Sequence, residues 1–238
     1  MTLFGNTCPV AIVTGASRGF GAAVTAALLE RGWAVVGDAR RAFELETTAR
    51  DLNSARLIAL PGDVTDASHR DALVDAAAGA GPLRLLVNNA SRLGPSPQPA
   101  LSDYPASELL SVYHTNVFAP LALIQAALPA LTEHAGVIVN VTSDAAVQAY
   151  PGWGGYGSSK AALDQLSAVL GAEASVRVYA FDPGDMRTEM HQAAFPGEDI
   201  SDRAEPESVV PALLRLLDTR PAAGRYRAAD LLTSGVHQ

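Results

Sequence analysis

Cysteine is almost absent. Cys8 stands alone in 238 residues, so no disulfide can form within the chain, and a reducing compartment is the expected setting. Basic excess is absent too: 17 Lys and Arg face 25 Asp and Glu, for a net charge of −8. That balance argues against sequence-independent binding to nucleic acid or to an anionic membrane. No apolar run reads as long enough to span a bilayer. The first ten residues, MTLFGNTCPV, lack a basic segment ahead of an apolar core, so they do not read as a secretory signal. The expected location is the cytoplasm. The histidines, His69, His114, His134, His191 and His237, have no metal-ligand spacing, and no metal is expected.

What is present is an ordinary globular composition, 48% hydrophobic and 18% charged, enough for one sizeable core. Short apolar runs alternate with longer amphipathic ones. The short runs cover 10–15, 34–37, 56–60, 83–89, 136–143, 176–184 and 224–232. Helical segments lie between them, among them 20–32, 67–79, 108–131 and 158–174. This rhythm predicts βαβ units: one α/β domain over 1–238, doubly wound, with a seven-stranded, mostly parallel sheet and helices on both faces. Val, Ile and Leu without a polar face suit strands buried on both sides. The segments 92–105 and 187–207 read as long loops, which in compact domains are usually functional or mobile.

Two local patterns carry chemistry. In VAIVTGASRGFG the first strand runs directly into a helix, with Gly15, Gly19 and Gly21 at the turn. Such glycines let backbone approach a pyrophosphate at a helix N-terminus. No Walker lysine follows the last of them, which disfavours a nucleoside triphosphatase. In GGYGSSK, Tyr156 and Lys160 are four apart, on one face of a helix. A phenol beside a fixed ammonium has its pKa drawn down from about 10, toward a useful acid/base range.

Taken in order, TGASRGFG (14–21), GDV (62–64), NNA (88–90), Asn116, Ser143, YGSSK (156–160) and PGDMRT (183–188) resemble the classical short-chain dehydrogenase/reductase family over nearly the whole chain. One departure is visible: the family's NNAG is NNAS here, with Ser91 in the fourth place. The resemblance implies a Rossmann-type fold and reduction of a ketone or aldehyde, or the reverse oxidation. Tyr156 would be the acid/base, with Ser143 on the carbonyl oxygen. Lys160 would tune the phenol and hold the nicotinamide ribose. Asn116 would support a water in a proton relay. Implied cofactor contacts are Gly15, Ser17, Arg18, Gly19, Phe20, Gly21, Arg40, Asp63, Val64, Asn89, Ala90, Tyr156, Lys160, Pro183, Gly184 and Thr188. Asn88 would steady the sheet. Asp144, Tyr150, Trp153, Met186, Met190 and Phe195 fall in segments that would ring the pocket. The stretches around 143–157 and 183–199 resemble those of sepiapterin-reductase-like members.

NADP(H) is the expected cofactor. An NAD enzyme places an acid at the end of the second strand. In the family it lies eighteen residues past the last loop glycine, which here is Ala39. Asp38 comes one position early and should face the other side of the strand. Arg40 and Arg18 are basic residues suited to a 2′-phosphate. Two rivals stay open: an NAD-dependent secondary-alcohol dehydrogenase on the same fold, and a non-catalytic NADP-binding sensor. The helix at 158–174 is apolar on more than one face, through Leu163, Leu166, Val169 and Leu170. A homodimer or homotetramer is therefore expected. The other expected partner is a small carbonyl or alcohol substrate.

Overall fold

The computed structural model describes residues 2–5 and 7–233; Met1, Asn6 and 234–238, His237 among them, lie outside the described residues. The strands are β1 (Val10–Val13), β2 (Ala34–Ala39), β3 (Leu57–Pro61), β4 (Leu83–Asn88), β5 (Val137–Val141), β6 (Arg177–Asp182) and β7 (Gly224–Arg227). They form one sheet in the order β3-β2-β1-β4-β5-β6-β7, and each pairing is parallel. The helices are α1 (Gly19–Glu30), α2 (Ala42–Leu52), α3 (Ala67–Ala80), α4 (Ala106–Tyr113), α5 (Ala119–Glu133), α6 (Gly154–Glu173), α7 (Glu189–Ala194), α8 (Pro206–Thr219) and α9 (Ala228–Thr233).

Both sheet faces are covered, which is why the strands carry no polar side. Along β1, Ala11 and Val13 join one core with α1 and α8, while Val10 and Ile12 join the other with α3 and α5. The same alternation on β2 puts Val35 and Ala39 on the first face and Ala34 and Val36 on the second. Strand order reverses between β1 and β4, and α/β folds open a ligand crevice at such a point, beyond the carboxyl ends of the strands.

The structure refines four expectations. The run 224–232 is not all strand: after Arg227 it turns into α9. The helix expected at 108–131 is interrupted by a π-helical turn at His114–Phe118, so α4 and α5 are separate elements. The segment 187–207 contains α7 and the first residues of α8, and 92–105 contains a 3₁₀ turn at Leu101–Asp103. Finally, the helical course Ala106–Glu133 is, by length and composition, apolar enough to cross a bilayer. Half of its most apolar window is buried inside the molecule, with α5 packed on α3 and β4. A core helix against a sheet needs that composition.

Candidate active site

A cleft of about 860 Å³ opens at the carboxyl ends of the strands. Its floor is the β1–α1 turn. Gly15 and Gly19 have positive φ, 69° and 53°, where a side chain would strain the backbone. Gly21 lines no part of the cleft but lies directly beneath it: a Cβ there would meet the Gly15 carbonyl oxygen at 2.2 Å. No side chain caps α1. Its first N–H groups therefore stay available to an anion, and the turn fits a dinucleotide pyrophosphate. Asn89 ties this turn to β4, donating through its side-chain amide to the carbonyls of Thr14 (2.9 Å) and Gly15 (3.2 Å). The backbone N–H groups of Asn89 and Ala90 both donate to the Thr14 hydroxyl. Asn88 faces the other way and steadies the sheet, donating to Asn140.

The expected residues converge on this cleft. Ser17, Arg18, Phe20, Arg40, Asp63, Val64, Ala90, Ser143, Tyr156, Lys160, Pro183, Gly184 and Thr188 all line it. Asp63 also closes a turn, accepting from the Thr65 N–H and hydroxyl, while the α3 cap is Asp66. Thr188 caps α7, accepting from the His191 N–H. Asp144, Tyr150, Trp153, Met186, Met190 and Phe195 line the open side. Trp153 stands edge-on to Tyr156, with ring centroids 5.7 Å apart, and packs against Phe195.

The inner end is a buried hydrogen-bond network. Asn116, fully buried in the π-helical turn, does not line the cleft. Such turns recur at functional sites. Its amide clamps Arg92 from both sides, accepting from the Arg92 N–H (2.7 Å) and donating to the Arg92 carbonyl (2.9 Å). It also donates to the Ser159 hydroxyl (2.9 Å) and accepts from the Ser91 hydroxyl (3.2 Å). Lys160 is 2% exposed, and its ammonium donates to the Val141 carbonyl at 2.7 Å. Burial lowers its pKa to about 8, against a smaller upward pull from Asp164.

Tyr156 departs from expectation. Burial, the largest influence, pushes its phenol well above the ordinary range; Asp182 and Asp144 add to the rise, and a hydrogen bond with Ser91 opposes it. The Lys160 ammonium lies 5.5 Å from the Tyr156 ring centroid. Ser143 is held in an unexpected way as well. Its hydroxyl donates to Asp144 (2.9 Å) and accepts from the Ala145 N–H (3.2 Å). Arg225, which nothing in the sequence singles out, donates to the Ser143 carbonyl (3.0 Å) and pairs with Asp182 and Asp164. It lies on the last strand, far along the chain from the motifs.

The outer end is a patch of exposed charge. Asp38 faces α3, as the strand alternation predicts. It accepts from the Gly15 N–H (2.9 Å) and meets the His69 ring at 3.1 Å. Burial raises its pKa, with His69 and Gly15 opposing. Arg18 is not free: it pairs with Glu189 and lies 3.9 Å from Glu44, which also pairs with Arg41. Arg40 lines the cleft beside them and lowers the Asp63 pKa through space, after the larger effects of burial and Thr65. Glu44, Arg41 and Glu189 carried no signal in the sequence, because charged surface residues are common.

Comparison with known proteins settles the family. A model of the short chain dehydrogenase family matches residues 9–199. The chain belongs to the short-chain dehydrogenase/reductase family. Serine 3-dehydrogenase of Rhizobium radiobacter is 35% identical over 183 residues, covering 75% of this chain and 72% of the relative. Sepiapterin reductase of Meriones unguiculatus is 34% identical over 203 residues, covering 79% and 78%. Among solved structures, a short chain dehydrogenase of Escherichia coli CFT073 complexed with NADPH superposes with a TM-score of 0.86 at 29% identity, over 94% of this chain and 97% of that one. This family of oxidoreductases binds a nicotinamide cofactor, and the cleft described here has the cradle for one.

Proposed function

We propose that this short-chain dehydrogenase/reductase is an NADPH-dependent enzyme that reduces a ketone or aldehyde to an alcohol, reversibly. The observation that carries the reading is the meeting of Ser143, Tyr156 and Lys160 in one cleft with an uncapped α1 N-terminus. The cofactor supplies the hydride when bound. Tyr156 gives its phenol proton to the substrate oxygen and takes it back in the reverse direction. Ser143 turns its hydroxyl from Asp144 to the same oxygen and steadies charge there. Lys160 holds the ribose, and Asn116 keeps the loop at Arg92 in place. Trp153, Phe195 and Met186 favour an apolar, flat carbonyl compound.

NADPH is favoured over NADH because Ala39 leaves no acid at the ribose position and Asp38 is engaged by Gly15 and His69. Arg40 supplies positive charge there. Complexes of structural relatives with NADP and with NADPH support this choice. The non-catalytic sensor is disfavoured because a pure binder needs no Ser143, Tyr156 and Lys160 together. We also place the protein in the cytoplasm as a homodimer or homotetramer. Leu110, Phe118 and Val169 expose apolar surface on α4, on the π-helical turn and on α6. Light scattering at micromolar concentration should give a multiple of the 24.7 kDa chain mass.

The deciding assay follows cofactor absorbance with a panel of aromatic and aliphatic ketones and aldehydes, using NADPH and NADH in turn. Turnover with NADPH well above NADH supports the reading. Faster turnover with NADH favours the NAD-dependent rival, and tight NADPH binding without turnover of any carbonyl favours the sensor.

A further inference from the structure

Arg225 lies on β7, opposite Ala180 of β6. Its neighbour Tyr226 packs on Tyr179 in one core, so strand alternation turns Arg225 to the other face, toward α6. From there one guanidinium reaches three segments of the site. Its Nε donates to the Asp164 carboxylate at 3.0 Å, on α6 one turn past Lys160. Its Nη2 donates to the Asp182 carboxylate at 2.8 Å and to the Ser143 carbonyl at 3.0 Å. Asp182 ends β6, and its other oxygen accepts from the Gly184 N–H at 3.0 Å, fixing a turn in which Gly184 has a φ of 74°. The Ser143 carbonyl also accepts from the Ala146 N–H at 3.0 Å. The serine backbone is thus held from two directions, while its hydroxyl can turn from Asp144 to a substrate. The Asp182 side chain is 3% exposed and that of Arg225 25%. A carboxylate so buried needs a counter-charge, and Arg225 is its ion-pair partner.

We propose that Arg225 is a positioning residue for the carbonyl chemistry: it locks the Ser143 backbone, the Gly184 turn and α6 into one geometry and offsets the Asp182 charge beside the reacting groups. The fork of the guanidinium is what permits the first part. Its donors lie in a rigid plane and point in different directions, so one side chain serves three acceptors. A lysine ammonium brings the same charge on one nitrogen, without the fork. The charge is what permits the second part. Charged groups act on Tyr156 from three elements: Asp182 at the end of β6 and Asp144 just past β5 both push the phenol up, and the Lys160 ammonium of α6 lies 5.5 Å from the ring centroid. Of the two carboxylates, Asp182 is the one that Arg225 pairs. Left unpaired, it would make the phenolate harder to form and the phenol proton harder to give up. On its other side Arg225 pairs with Asp164, whose charge raises the Lys160 pKa against the larger lowering by burial.

This role rests on Ser143 and Tyr156 acting on the carbonyl, and the test separates the two. Arg225→Lys keeps the charge and loses the fork; Arg225→Met loses both. Turnover is measured with a carbonyl that the parent reduces. The Tyr156 phenol is titrated by ultraviolet difference absorbance in protein saturated with NADP⁺, whose positive ring favours the phenolate, each variant being read against the same variant carrying Tyr156→Phe. Arg225→Lys should lower kcat about tenfold, from one lost hydrogen bond to a charged group, with the phenol midpoint within about half a pH unit of the parent. Arg225→Met should lower kcat about 10- to 100-fold and raise the midpoint by about half a unit to one unit. The Michaelis constant for NADPH should stay within about threefold of the parent's in both, because the glycine turn is untouched. A structural staple of β7 would cost stability alone. Parental turnover in folded Arg225→Lys, or an unmoved phenol midpoint in Arg225→Met, overturns the proposal; if Arg225→Met does not fold, Arg225→Lys decides. Full turnover by Tyr156→Phe overturns the functional reading instead, and the titration, which needs no substrate, still reads the effect of Arg225 on the phenol.

Discussion

The two ends of the cleft are built on opposite principles. At the inner end, Asn116, Ser159, Lys160 and Tyr156 are buried, and the hydrogen bonds of Asn116 and Lys160 leave little slack. At the outer end, Arg18, Arg41, Glu44 and Glu189 trade ion pairs in solvent; the Arg41 and Glu189 side chains are 60% and 68% exposed. A buried polar group that loses its partner bears the full cost of desolvation, about 1–3 kcal/mol each. An exposed ion pair is worth about 0.2–1 kcal/mol and fades with salt, because screening acts over about 8 Å at physiological ionic strength. The inner end is therefore set by geometry and the outer end by charge balance. One fixes what chemistry is possible; the other adjusts which cofactor enters.

Substitutions at the two ends should separate accordingly. The largest stability loss is expected for Asn116→Ala. It strands the Arg92 N–H and carbonyl and the Ser159 hydroxyl, and should lower unfolding free energy by about 3 kcal/mol. Chemical denaturation checks this, and a loss under about 1 kcal/mol would mean that water replaces the amide. Next comes Lys160. Its folded pKa, about 8, lies below the unfolded value of 10.5. The folded protein thus holds fewer protons than the unfolded chain between those values, so stability rises with pH across that window. The cost of the buried charge is fully present below pH 8, on the order of 3 kcal/mol. Lys160→Met should therefore be more stable than the parent at pH 7, and the gap should narrow toward pH 10. A gap constant with pH would show that folding does not lower the Lys160 pKa.

At the outer end effects should be smaller and salt-dependent. Arg40→Ala should raise the Michaelis constant for NADPH about 10- to 100-fold, from one charge-assisted hydrogen bond, and change that for NADH little. Equal losses for both cofactors would mean that Arg40 does not read the 2′-phosphate. Glu189→Gln is the mildest change. It frees Arg18 from a competing carboxylate, and NADPH should bind about two- to fivefold tighter at low salt, with the gain vanishing at high salt. Tightening that persists at high salt would break the contrast between the two ends.

Much of this was legible in the chain and some was not, for physical reasons. Strand and helix alternation marks a parallel sheet because strands buried on both faces must be apolar throughout. The glycines at 15, 19 and 21 mark the cradle because only glycine tolerates the turn and the close approach. The break at His114–Phe118 was not legible, since a π-helical turn has no compositional signature. Nor was Arg225, which acts on Ser143 only because β7 lies beside β6 in the finished sheet. Ser91 was visible as a departure from the motif, but its hydrogen bond to Asn116, 25 residues away, was not. The Arg18–Glu189 pair joins residues 171 apart, a distance over which charge pattern carries no information.

The central claim is that Tyr156 transfers the proton in an NADPH-dependent carbonyl reduction. It is tested by measuring, for Tyr156→Phe and the parent, both the rate with a carbonyl that the parent reduces and the dissociation constant for NADPH. The account predicts a fall in turnover of about 10² to 10⁴ with NADPH binding close to the parent's, since the ring stays and only the transferable proton is lost. A variant that keeps half the parent's turnover would contradict it.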